Sequence, residues 1–157
     1  MALESFRFES TMDTIVDRPP VEVLRVRADL HGAGPKAAFD ELESKIPSLR
    51  GRRFYGTIRM TPEGEEYHAC VERLATDDPA RLGLESAVIP GGRYVRRKVL
   101  HWEEIVAAGR MAELGADLAA RFDIDPSRPS LEFYRSMTEL HVLLPVRDPT
   151  AGSSRPA

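Results

Sequence analysis

Apolar and polar residues alternate with a period of two in several short stretches of this chain, which predicts strands, and recur near every 3.6 residues in two others, which predicts helices. Pro19-Pro20 announces a first strand over 21–28, and Ser5-Phe6-Arg7-Phe8 reads as an extra edge strand before it. His31-Gly32-Ala33-Gly34-Pro35 breaks that strand. Pro35 suits the first helical position, because its missing N–H would go unbonded there anyway. Phe39, Leu42 and Ile46 then follow at helical spacing as far as Pro47. Residues 52–60 and 66–74 read as two strands joined by the polar loop Thr61-Pro62-Glu63-Gly64-Glu65.

Asp77-Asp78-Pro79 and Ile89-Pro90-Gly91-Gly92 punctuate the stretch 75–92, which reads as a connector. A second cycle follows. Residues 93–100 form a strand and 102–122 one longer helix with Met111, Leu114, Leu118 and Phe122 on a stripe, weakened by Gly109 and Gly115. After the loop Asp125-Pro126-Ser127-Arg128-Pro129, residues 130–136 and 139–146 make a tight antiparallel pair. Both halves run strand, helix, strand, strand, although no residue-by-residue repeat accompanies that order. The expected class is therefore α+β: two pseudo-repeated halves forming an antiparallel sheet, helices on one face and a central ligand groove between the halves. Residues 1–147 form a single domain, and the polar tail 148–157 is expected to be disordered.

Composition narrows the function more than the fold. Apolar residues are 42% and charged residues 30% of 157, ordinary for a globular chain. A net charge of -3 supplies no concentrated basic surface, so direct nucleic-acid binding is not expected. Arg93, Arg96, Arg97 and Lys98 read as a solvated edge strand. Cys70 is the single cysteine and forms no internal disulfide; with an acidic start (Glu4, Glu9, Asp13) in place of a secretory signal, this points to the reducing cytoplasm. No apolar run approaches the ~20 residues that span a bilayer. Signatures of metalloproteases, redox pairs, serine hydrolases and phosphate loops are missing, and His31, His68, His101 and His141 lack metal-ligand spacing, so neither cofactor nor metal is expected. Cys70, in an apolar strand, reads as an inert buried thiol.

Glu132 is the residue that requires an explanation. Alternation along Leu131-Glu132-Phe133-Tyr134-Arg135-Ser136 puts Glu132, Tyr134 and Ser136 on one face and Leu131, Phe133 and Arg135 on the other. An acid on an inward face needs its charge compensated. A cationic ligand would do this, and so would Arg53 or Arg59 across the sheet.

Phe54-Tyr55-Gly56, Tyr67-His68-Ala69-Cys70-Val71-Glu72, Ile89-Pro90-Gly91-Gly92-Arg93-Tyr94, and Leu131-Glu132-Phe133-Tyr134 leading to Leu144-Pro145-Val146 resemble, in that order, the GyrI-like small-molecule-binding domain. That domain is also the effector-binding half of AraC- and MerR-type drug-responsive regulators. The resemblance spans most of the chain and implies that Glu132 sits in a pocket between the halves, facing a hydrophobic or cationic ligand. Tyr55, Tyr67, Trp102 and Tyr134 are then the aromatic groups around it, each able to contribute roughly 0.5–2 kcal/mol by stacking or cation–π contact. In a departure from the family pattern, Leu100-His101-Trp102-Glu103 enters its helix without a Gly-containing loop, which makes Trp102 either a pocket wall or the helix's first core contact. The residues before Val21 are too few for a DNA-reading helix-turn-helix, so a stand-alone binding domain is expected, a drug sink or sensor. Two alternatives stand beside it. One is a hydrolase that opens the cyclopropane of DNA-alkylating natural products, with Glu132 directing water and Tyr55 or Tyr134 bonding the developing oxyanion. The other is a protein partner, an inhibitor of DNA gyrase, as the family name implies.

Overall fold

The computed structural model describes residues 13–147. In chain order these form β1 (Thr14–Arg18), β2 (Val21–Arg27), α1 (Gly34–Lys45), β3 (Phe54–Thr61), β4 (Gly64–Glu72), α2 (Pro79–Leu82), β5 (Glu85–Ile89), β6 (Gly92–Leu100), α3 (Trp102–Ala107), α4 (Met111–Arg121), β7 (Ser130–Tyr134) and β8 (Glu139–Pro145). The strand expected at Ser5–Phe8 and the tail 148–157 lie outside the described residues.

All eight strands join one antiparallel sheet in the order β1-β6-β8-β7-β3-β4-β2-β5. The two expected halves meet through β3 and β7 at its centre. Each half is one strand longer than the alternation indicates. β1 precedes the first half but pairs with β6 of the second, and β5 precedes the second but pairs with β2 of the first. Each half thus lends its leading strand to the other's outer edge. Both strands are five residues long and largely exposed, so neither carries the apolar alternation that announces a strand.

The exchange forces the sheet to curl. β1 and β2 are six strand positions apart, about 29 Å in a flat sheet, yet the two residues Pro19 and Pro20 join them, and such a link spans at most about 11 Å. The ends must come together, and the sheet becomes a curled half-barrel. Register is unbroken across the link: Arg18 faces Gly92 and Val21 faces Ile89. β1–β2 and β5–β6 therefore form one long ribbon with a single bend at Pro19-Pro20 and Pro90-Gly91. Pro19, Pro20 and Pro90 bring no N–H, so these three positions lose no donor where the ladder lapses at the bend. Gly91 fits where a Cβ would lie 2.7 Å from the Pro20 nitrogen.

Inside the curl, Val23, Ile89 and Tyr94 of the ribbon pack on Tyr55, Leu131, Phe133 and Leu143 of the central strands. The helices cover the outer face. α1 buries Ala38 and Leu42 on Leu24, Ala69 and Val71, and α4 buries Leu114 and Leu118 on Val95, Val99 and Leu140. Each buried leucine contributes about 1.5–3 kcal/mol.

Two expectations are corrected. The single helix over 102–122 is two helices, because Gly109 takes a left-handed conformation (φ 69°) and closes α3: its N–H bonds Val106 O and that of Arg110 bonds Ile105 O. The basic strand is not a solvated edge either. β6 lies between β1 and β8, and Arg97 is 3% exposed, donating to both oxygens of Asp13 and to Asp117 of α4, each at 2.7 Å. A buried guanidinium is tolerated because two carboxylates face it.

Glycine replacements separate close approach from simple flexibility. Gly91→Ala is expected to lose about 1–3 kcal/mol of stability by urea denaturation, because the bend cannot yield. Gly115→Ala, in a helix with nothing within 4 Å of the added carbon, is expected to gain about 0.5–1 kcal/mol.

Candidate functional site

β7 turns Glu132 and Tyr134 to the outer face, and β4 turns Tyr67 to the same face. The Tyr67 hydroxyl donates to Glu132 Oε1 at 2.6 Å and the Tyr134 hydroxyl to the same oxygen at 2.9 Å, with the two phenol oxygens 3.3 Å apart. A carboxylate of the second half is thus held by a phenol of the first. Space for this comes from Gly56, directly opposite Glu132 on β3: a Cβ there would overlap the Tyr67 hydroxyl and lie 2.7 Å from Glu132 Oε1. Phe39 of α1 sets its ring edge-to-face with Tyr67 and Tyr134, at 6.4 and 5.4 Å, and Trp102 of α3 does so with Tyr134 at 5.3 Å.

Trp102 makes the core contact expected of the first residue of its helix. It borders the cluster and joins the apolar patch under α4, and its indole N–H reaches Ser136 O at 3.3 Å. His101 makes the abrupt helix start possible by adopting φ 53°, a left-handed conformation costing about 1–2 kcal/mol. Phe39 and Gly56 complete the cluster but were not among the candidate site residues. On the helix stripe Phe39 reads as core, and only the strand register reveals what Gly56 makes room for.

Tyr55 is separated from the other candidates. Adjacent strand residues point to opposite faces, so Tyr55 faces the interior of the curl. It is 1% exposed, stacked on Phe133 at 5.1 Å, and its hydroxyl accepts from Arg18 Nη2 at 3.2 Å. The ion-pair alternative for Glu132 also falls away. Among the described residues no cation pairs with it, and Arg59 shares the face of Tyr55.

Burial raises the Glu132 pKa, and the two phenol donors only partly oppose that rise. Burial, with the Glu132 charge behind it, also raises the pKa of Tyr67 and of Tyr134, so both stay protonated as donors. Glu132 Oε2 receives no hydrogen bond from any described residue. The cluster is therefore an acid with one oxygen bound and one open, among four aromatic rings.

Burial pushes the Cys70 thiol up to about 12, far from a reactive thiolate. Among the described residues no three His, Cys, Asp or Glu side chains gather as a metal site, and no helix is long and apolar enough to cross a membrane.

No family model matches the sequence, and no curated protein matches it. Solved structures do match. An integron cassette protein from the mobile metagenome of Vibrio cholerae superposes with a TM-score of 0.65 at 16% identity, over 86% of this chain and 95% of the other. The fold is shared. A hydrolase from Listeria innocua gives 0.56 at 14% identity over 86% and 91%, and SAV2435, solved bound to tetraphenylphosphonium, gives 0.57 at 9% identity over 87% and 94%. At these identities the likeness establishes the architecture, a curled antiparallel sheet found in small bacterial proteins.

The raised pKa of Glu132 predicts a pH dependence. A carboxyl whose pKa rises on folding stabilises the fold fully below its ordinary value of 4.5, and this contribution is lost as pH rises through the higher folded value. Glu132→Gln is neutral throughout, so its melting temperature should come nearest the parent's near pH 4 and exceed it at pH 8. A parent that gains on the variant with rising pH would mean that the ionised carboxylate stabilises the fold.

Proposed function

We propose that this protein binds hydrophobic, planar or cationic small molecules against the Glu132–Tyr67–Tyr134 cluster, as a sink or sensor in the manner of a stand-alone GyrI-like domain in the cytoplasm. The observation that carries this reading is the open Oε2 of a partly buried carboxylate that no cation among the described residues compensates, set among Phe39, Tyr67, Trp102 and Tyr134. A lipophilic cation has little hydration to lose and supplies the missing charge, an attraction of about 4 kcal/mol at 4 Å and an effective dielectric of 20. Ring faces and edges add dispersion and cation–π attraction without discriminating finely among ligands. The tetraphenylphosphonium complex of SAV2435 supports the reading, because a protein of the same fold takes a ligand of this class.

Titration calorimetry with tetraphenylphosphonium tests it. The parent should bind saturably, Glu132→Gln should weaken binding tenfold or more, and Tyr55→Phe, altered on the other face, should leave it unchanged. Equal affinity of the parent and Glu132→Gln would remove Glu132 from the site.

A hydrolase on the same cluster is the second reading, favoured by a raised-pKa carboxyl beside the Tyr134 hydroxyl and by the hydrolase from Listeria innocua that shares the fold. Glu132 would take a proton from water as it attacks a strained cyclopropane carbon, and Tyr134 would donate to the oxygen that receives the electron pair of the broken C–C bond. Mass spectrometry after incubation with a cyclopropane-bearing alkylator should then find a product one water heavier. Unchanged alkylator would eliminate that reaction.

A further inference from the structure

The inner face of the curl has two ends built on one pattern. On β4 His68 stands opposite Arg27 of β2, with Arg25 two residues along and Glu66 two before it; on β8 His141 stands opposite Lys98 of β6, with Arg96 and Glu139 in the matching places. The third neighbour breaks the match. β3 puts Thr57 beside His68, whereas β7 puts Phe133 beside His141.

That difference fills one end and empties the other. Phe133 sets its ring edge-to-face on His141 at 5.6 Å, and His141 Nε2 lies 2.5 Å from Glu139 Oε2. Beside the smaller Thr57 is a cavity of about 270 Å³, lined by Val23, Arg59, His68, Ile89 and Pro129 among others. The His68 side chain is only 9% exposed, and its ring has no hydrogen-bond partner among the described residues, since Glu66 at 3.7 Å is too far to bond. Neither ring nitrogen is sealed from solvent, so the imidazole meets the cavity with a polar edge that a ligand can take over from water. The charged side chains of the lining are Arg25, Arg59, Glu66 and the His68 ring; Arg25 pairs with Glu85 and Glu66 with Arg27, both partners outside the lining, while Arg59, across the strands from Glu66, has no ion pair among the described residues. Burial and Arg25 lower the His68 pKa, so the neutral ring keeps one N–H to donate.

We propose that this cavity is a second ligand site that takes a small organic monocarboxylate with a compact apolar body, its carboxylate held by Arg59 and the His68 N–H and its body lying against Val23, Ile89 and Pro129. It is independent of the cation site, because Thr57 and His68 alternate with Gly56 and Tyr67 and so face the other side of the sheet.

Benzoate is the test ligand, titrated into the full-length protein while the imidazole protons of both histidines are followed by NMR. His68 should shift saturably with a Kd on the order of 1 mM or tighter, in keeping with so small a ligand. His141 should stay fixed as the internal control, and benzylamine should move neither. Thr57→Phe, which copies the filled end, should abolish the shift, Arg59→Gln should weaken it at least tenfold, and Glu132→Gln should leave it intact. Should Thr57→Phe fail to fold, Arg59→Gln decides. The proposal is overturned if His68 and His141 shift alike, if His68 does not saturate, or if Arg59→Gln binds as the parent does.

Discussion

Pro19 and Pro20 carry the chain from one edge of an eight-stranded sheet to the strand next to the other edge, and this short link governs the rest of the molecule. No flat or gently twisted sheet satisfies it. The curl it imposes divides every strand into an inward and an outward set of side chains, and a residue's role follows from its parity. Tyr55 and Gly56 are chain neighbours with unrelated roles for this reason: one packs the interior, the other makes room for a carboxylate outside. The same parity assigns His68 and Tyr67 to separate sites.

At the sheet centre the near-symmetry of the halves is broken in a useful way. Gly56 and Glu132 are paired across β3 and β7 at matching positions of the two repeats. One half supplies the acid and the other the empty space beside it. Tyr67 then reaches across to bond an acid from the opposite half, so the cluster exists only where the two repeats are joined. Its polarity is costly to bury, and the two phenols recover only part of that cost by sharing a single oxygen. The other oxygen remains available.

The sequence was legible wherever period and punctuation coincide. Pro35 and the Phe39–Leu42–Ile46 stripe mark α1, and alternation through Leu131–Ser136 assigns Glu132 and Tyr134 to one face. β1 and β5 escape because short exposed strands look like loops, and their pairing depends on residues some 60 to 80 positions away. Arg97 escapes because a buried cation is identical in sequence to a solvated one; its carboxylates come from Asp13 and from α4. The repeated Glu-x-His pattern is hidden by loops of unequal length: the spacing from Arg27 to Lys98 differs by two residues from that of His68 to His141, so no fixed period aligns both. Tyr55 is instructive in another way, since an aromatic residue in a strand shows its face only once the register of its neighbours is known.

The exchanged edge strands bear on how the chain comes to be folded. A nascent chain that has emerged as far as Glu72 holds β2, α1, β3 and β4, yet the outer edge of β2 stays unpaired until Glu85–Ile89 arrive, and β1 waits for β6. Neither half is a finished product at any point in synthesis. The molecule is divisible into two on paper, by element order, but not by the ribosome or by a protease that would have to leave each part with its own edges.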